Sequence, residues 1–136
     1  MQKDKCVFCN IIKGKIDSYK VYENDNVYAF FDKNPINEYH TLIIPKNHYQ
    51  DIYDIPEKQL LAVISATKKI AKLYKDKLGV KNVQIFNNSG VKAQQDVFHF
   101  HVHLVPRENN DGQDINWTTN SELQENFDEL IEKLNK

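Results

Sequence analysis

The stretch Val97-Phe98-His99-Phe100-His101-Val102-His103-Leu104-Val105 decides how the rest of the chain is read, because histidine and large apolar residues alternate without a break from His99 to His103. Period two in so β-prone a run is the pattern of a strand, whose successive side chains point to opposite faces. His99, His101 and His103 then share one face, and Phe98, Phe100, Val102 and Leu104 the other. One face is suited to burial, the other to chemistry. Two-residue steps set neighbouring imidazoles roughly 6.5–7 Å apart and the outer pair about 13 Å apart, too far for all three to hold one metal ion. The histidines must divide the work between them, unless they are only the polar side of an ordinary strand.

Upstream of this stretch, Asn82-Val83-Gln84-Ile85-Phe86 reads as a strand running into the turn-forming Asn87-Asn88-Ser89-Gly90, and residues 89–96 form the connecting loop. From Pro56 to Leu78 the apolar residues Leu60, Leu61, Val63, Ile64, Ala66, Thr67, Ile70, Ala71, Leu73 and Tyr74 recur at helical spacing. Pro56 and Glu57 suit the first turn of that helix and Gly79 its end. Further back, Tyr39 to Lys46 is a strand closed by Pro45, and Lys20–Glu23 and Asn26–Asp32 are two strands joined at Asn24-Asp25, residues that tolerate positive φ. Cys6 to Lys13 fits a short helix stopped by Gly14. Beyond Pro106-Arg107 comes a polar loop holding Trp117, then an amphipathic helix with Leu123, Phe127, Leu130, Ile131 and Leu134, capped at Asn120 or Ser121. The order hairpin, strand, helix, strand, strand, helix favours an α+β meander over a doubly wound sheet.

At 136 residues the chain fits one domain. Its 18 basic and 19 acidic side chains leave a net charge of −1, which argues against a surface made to wrap nucleic acid but leaves room for one bound phosphate. The start Met1-Gln2-Lys3-Asp4-Lys5 leads into no apolar run, and no membrane-spanning stretch follows, so the expected setting is cytoplasmic. In such a reducing compartment the C-x2-C pair Cys6 and Cys9 points to metal binding or redox work before a structural disulfide.

His99-Phe-His-Val-His-Leu-Val, preceded by Asn87-Asn88 and Gln95 and followed by Pro106-Arg107, resembles the histidine triad (HIT) superfamily, and within it the Hint-like branch of nucleotide hydrolases and transferases. The resemblance runs from Cys6 to Arg107 and takes in Phe30-Phe31-Asp32 and His40-Thr-Leu-Ile-Ile-Pro-Lys-Asn-His48, leaving 108–136 as a C-terminal loop and helix outside it. It implies a HIT-like fold: an antiparallel sheet built from the five strand segments above, with two protomers joining their sheets as a homodimer. It also implies a purine nucleotide substrate, a nucleoside 5′-phosphoramidate or related monophosphate ester, with His101 attacking the α-phosphorus and carrying a transient nucleotidyl group. Neutral imidazole is a competent nucleophile near pH 7, and a phosphoimidazole is readily hydrolysed in a second step. His103 is placed to touch the phosphate or pass a proton to the leaving group.

By the same resemblance Phe8, Ile11 and Phe30 wall the base, Asp32 accepts from the ribose hydroxyls, and Asn88 and Gln95 contact the phosphate or leaving group. Taken singly these are ordinary residues: core aromatics, a strand end, a turn asparagine. His40 belongs near the triad as a supporting group. Relatives with the cysteine pair imply zinc held by Cys6, Cys9, His48 and His99, a set that zinc takes tetrahedrally and closes to water, hence a structural ion. No catalytic cofactor is expected. Two departures stand out: Gln94 where many relatives have glycine, which would permit positive φ or a close backbone approach to phosphate, and Asp96 where many have Ser, Thr or Glu, which sets a negative charge near an anionic substrate unless it points away or meets the leaving group. Two other functions keep the same residues: a dinucleoside polyphosphate hydrolase, and a zinc-stabilised module that binds nucleotide without turning it over.

Overall fold

The computed structural model describes residues 3–136; Met1 and Gln2 of the charged start lie outside the described residues. Strands β1 (Lys20–Glu23), β2 (Val27–Phe31), β3 (Thr41–Pro45), β4 (Val83–Phe86) and β5 (Val102–Pro106) form one sheet in the order β1-β2-β3-β5-β4. Every pairing is antiparallel. Helices α1 (Val7–Ile12) and α2 (Glu57–Leu78) cover its opposite faces, and α3 (Phe127–Leu134) closes the chain. This is the α+β arrangement that the order of segments predicts. Among the described residues no helix is long and apolar enough to cross a membrane.

The two faces are legible in β2 and β3, whose apolar residues run unbroken because both sides are covered. Val27, Ala29 and Ile43 join Val63, Ala66, Ile70 and Tyr74 of α2, together with Phe100, Val102 and Leu104. Tyr28, Phe30, Leu42 and Ile44 alternate with them and join Cys6, Phe8, Cys9 and Ile11 of α1. The histidine segment thus turns Phe100, Val102 and Leu104 to α2, and the His99 and His101 imidazoles to Phe8 of α1. On α2 only the stripe Val63, Ala66, Thr67, Ile70 and Tyr74 is buried, whereas Leu61, Ile64 and Leu73 are exposed. Gly79 ends that helix at φ +73°, a left-handed conformation that glycine takes without a Cβ penalty.

Three expectations are corrected. The histidine stretch is a strand only from Val102 onward, and residues 97–101 are irregular. Register supplies the reason. With Ile43 opposite Val102, a longer β5 would set Phe100 opposite Pro45, which has no N–H to give. Beyond Phe86, opposite His103, the chain leaves the sheet as the Asn87–Gly90 turn. The β1–β2 turn does not use positive φ; Asn24 holds it by accepting the Asn26 and Val27 N–H groups on its side-chain oxygen. The C-terminal helix begins as a 3-10 turn over Ser121–Asn126, capped by Asn120 rather than Ser121, and none of the α3 residues is buried.

Candidate active site and metal centre

The irregular backbone of 97–101 is held from both sides. The Phe100 N–H donates to Tyr49 O at 2.6 Å, and the Asn87 side-chain amide donates to His101 O at 2.9 Å. Freed from strand geometry, the His101 and His103 rings lean together with centroids 4.9 Å apart, closer than a flat strand allows. All three triad histidines are buried.

Hydrogen-bond partners fix which ring nitrogen carries each proton. His101 Nδ1 lies 2.8 Å from His99 O; a carbonyl only accepts, so Nδ1 bears the hydrogen and Nε2 keeps its lone pair. His40 Nδ1 accepts the Ile36 N–H at 2.9 Å, so neutral His40 carries its proton on Nε2 and donates it to His103 Nδ1, 2.9 Å away. His103 is left with its hydrogen on Nε2. Its ring is stacked on Phe86 at 4.5 Å, and burial, with His101 and His40 adding to it, pushes its pKa down to about 3. His103 is therefore a neutral Nε2–H donor at physiological pH. Burial also holds His40 below the usual histidine range, against the pull of Asp32, whose carboxylate lies 3.5 Å from His40 Nε2.

Asp32, His40 and His103 bring three donor atoms together, but they do not suit a cation. Metal at His40 Nε2 would move the ring proton to Nδ1, where the Ile36 N–H already points.

A cavity of about 570 Å³ opens beside His101, a size within the usual range for small-molecule sites. Phe8, Ile11, Phe30, Asp32, Leu42, Asp96 and His101 are among its lining residues. Phe8 meets His101 edge-on at 5.1 Å and Phe30 at 5.5 Å. Five residues singled out by sequence (Phe8, Ile11, Phe30, Asp32, His101) are thus brought to one cavity, and Asn88, Gln95 and His103 do not line it. Gln95 is buried with its amide spent inside the protein: it accepts the Gly90 N–H at 2.8 Å and donates to Gln50 O at 2.7 Å and Val97 O at 3.1 Å. Gln94 adopts φ +70°, taking the left-handed conformation itself.

Sequence reasoning missed the supports. Phe86 beneath His103, Asn87 on the His101 carbonyl and Pro45 O on His99 all depend on register across β3, β4 and β5, for which a single sequence gives no signal. Asp96 was visible as a departure, yet its side-chain Oδ1 lying 3.6 Å from His101 Nε2 was not.

On the other side of Phe8, Cys6, Cys9, His48 and His99 converge, their ligand atoms all within 4.8 Å of one another. His99 donates from Nε2 to Pro45 O at 2.9 Å, which leaves Nδ1 as the lone-pair nitrogen facing Cys6 Sγ and Cys9 Sγ, each 3.5 Å away. His48 Nδ1 stands 3.3 Å from Cys9 Sγ. Burial lowers the His99 pKa to about 4, so it is neutral as a ligand must be. Bonds of about 2.0–2.3 Å to a central zinc give tetrahedral edges of roughly 3.3–3.8 Å, and these sulfur–nitrogen spacings fall in that range. The donor set fits a closed four-ligand ion.

Comparison with known proteins gives a consistent answer. The HIT domain family matches residues 13–110. A crystal structure of a HIT family protein from Bacillus anthracis superposes with a TM-score of 0.87 at 39% identity, covering 96% of this chain and 95% of that one. A Zn-bound histidine triad family protein from Mycobacterium smegmatis gives 0.79 at 30% identity, with 97% and 99% covered. The adenosine 5′-monophosphoramidase of Candida albicans is 37% identical over 134 residues, 95% of this chain and 88% of its own. With the triad, the sheet order and these matches agreeing, the chain belongs to the HIT family.

Proposed function

We propose that this chain is a nucleotide hydrolase of the phosphoramidase kind, cleaving purine nucleoside 5′-phosphoramidates or related monophosphate esters through a nucleotidyl group carried on His101. The observation that supports it most is the His101 tautomer: Nδ1–H is committed to His99 O, and Nε2 is left unprotonated in a protein lining a nucleoside-sized cavity. Phe8, Ile11 and Phe30 wall the base, and Asp32 takes the ribose hydroxyls. In the first step the Nε2 lone pair bonds to the α-phosphorus and the phosphorus–nitrogen bond breaks, its electron pair leaving on nitrogen with a proton from water. In the second, a water oxygen bonds to phosphorus, the Nε2–phosphorus pair returns to the imidazole, and the water protons pass to solvent. The His99 carbonyl stabilises the positive charge that the ring holds between the steps. His103 offers its Nε2–H to a phosphoryl oxygen, and His40 keeps that proton there. Asn88 and Gln95 act from the loop behind the phosphate, Gln95 by positioning.

Zinc fits Cys6, Cys9, His48 and His99 and would supply structural anchorage of α1 to the His99 segment. A homodimer belongs to the same reading, supported by the exposed Ile85 of outer strand β4 and Leu61 and Ile64 of α2. The test is AMP release from adenosine 5′-phosphoramidate in the presence of chelator. The proposal predicts that release by the parent persists and that His101→Ala loses roughly three orders of magnitude or more. Unchanged release by the variant refutes it, and nucleotide binding without release favours the binding module.

A further inference from the structure

Asp96 is the feature of the cavity that a general nucleotide site does not call for. Its Oδ1 accepts the Val97 N–H at 2.9 Å and stands 3.6 Å from His101 Nε2, with 79% of the side chain open to solvent. The loop thus anchors a carboxylate beside the atom that would attack phosphorus. Its charge is also felt at His103, where it opposes the effect of burial. The rest of the lining has the same sign: Asp17, Asp32 and Asp96 face a single cation, Lys33. The cation that follows the triad, Arg107, lies away from the cavity and is taken up by Asp111, Asp114 and Gln84.

Leaving groups differ in charge at this point. A phosphoramidate releases nitrogen that ends as an ammonium ion: the substrate's phosphoryl–NH2 plus one water gives the nucleoside monophosphate dianion and NH4+. A phosphoanhydride releases a polyanion. Sites built for polyphosphates surround the extra phosphates with arginine, lysine or a metal ion. Beside the attacking nitrogen this cavity presents the Asp96 carboxylate instead.

We propose that Asp96 is a specificity-determining residue, selecting amine leaving groups, which depart neutral or cationic, over anionic ones. The inference rests on the phosphoramidase reading above. A unit charge about 5 Å from a leaving anion, in the half-solvated dielectric of a cavity mouth, discriminates roughly ten-fold, and more for a polyanion. Whatever Asp96 does for the charge on His101 is common to every substrate and cancels in a ratio.

The experiment compares kcat/KM for adenosine 5′-phosphoramidate with that for diadenosine tetraphosphate, in the full chain and in Asp96→Asn and Asp96→Ser. Asparagine keeps the acceptor for the Val97 N–H and the side-chain shape while removing the charge. The expected result is a shift of the ratio by about ten-fold or more toward the tetraphosphate in both variants, shrinking as salt is raised. An unchanged ratio with both substrates still turned over overturns the role of Asp96 and leaves the phosphoramidase reading standing. Failure of the parent to release AMP from either substrate overturns that reading, and this inference with it.

Discussion

Gln95→Ala separates positioning from substrate contact. The parent side chain is 6% exposed and makes three hydrogen bonds, from Gly90 N–H and to the carbonyls of Gln50 and Val97. Those bonds tie the loop before the triad to the segment after β3 and to the start of the histidine stretch. Alanine removes them and strands buried polar groups, which at about 1 kcal/mol each sums to roughly 3 kcal/mol. In a chain of 136 residues this corresponds to a melting temperature lower by about 10 °C. Calorimetry without nucleotide gives the stability change, and steady-state kinetics on adenosine 5′-phosphoramidate gives the functional one. Gln95→Glu retains the acceptor for Gly90 and loses both donated bonds, so it should also destabilise. A fall of less than about 3 °C for Gln95→Ala with a large rise in KM would show that the amide works on substrate, and the positioning argument would fail.

The same structure makes three further predictions. His103 has a pKa of about 3 in the fold and about 6.5 unfolded, so the unfolded chain binds the extra proton first; stability is full above pH 6.5 and falls as pH drops toward 3, by about 2 kcal/mol at pH 5. Urea midpoints at pH 7 and 5 should therefore converge in His103→Gln relative to the parent, and identical pH dependence in the two proteins would contradict the assignment. Removing zinc from Cys6, Cys9, His48 and His99 should lower the melting temperature by about 13 °C, equivalent to about 4 kcal/mol at a thousand-fold excess over Kd, and no shift with chelator would mean no ion is held there. Asp32→Asn should raise KM for adenosine 5′-phosphoramidate roughly ten-fold with a smaller effect on kcat, through weaker bonds to the ribose hydroxyls; an unchanged KM would remove Asp32 from the ribose site.

Much of this was legible in residue order. Alternation in the histidine stretch placed imidazoles and apolar side chains on opposite faces, and they are so placed even where the backbone departs from a strand. Helical spacing from Pro56 to Leu78 located α2 to within a residue. What sequence left dark was register. That Pro45 falls where a longer β5 would need an N–H, and that Phe86 comes to lie on His103, follow from pairings between strands far apart in the chain. Gln95 was expected at the phosphate or leaving group from the family resemblance alone, while its partners Gly90 and Gln50 converge only in the fold. The C-terminal helix formed as its periodicity required, but periodicity does not say what an apolar face will meet, and here Phe127, Leu130 and Ile131 are exposed.

The central claim is that His101 Nε2 forms the covalent bond to phosphorus. Its most direct test is to mix the protein with adenosine 5′-phosphoramidate labelled in the adenosine, quench in alkali within the first turnover, and map the label by peptide mass spectrometry. The account predicts an adenylyl group on the peptide containing His101, absent from His101→Ala together with AMP release. Label on a different residue, or undiminished AMP release by the variant, would contradict it.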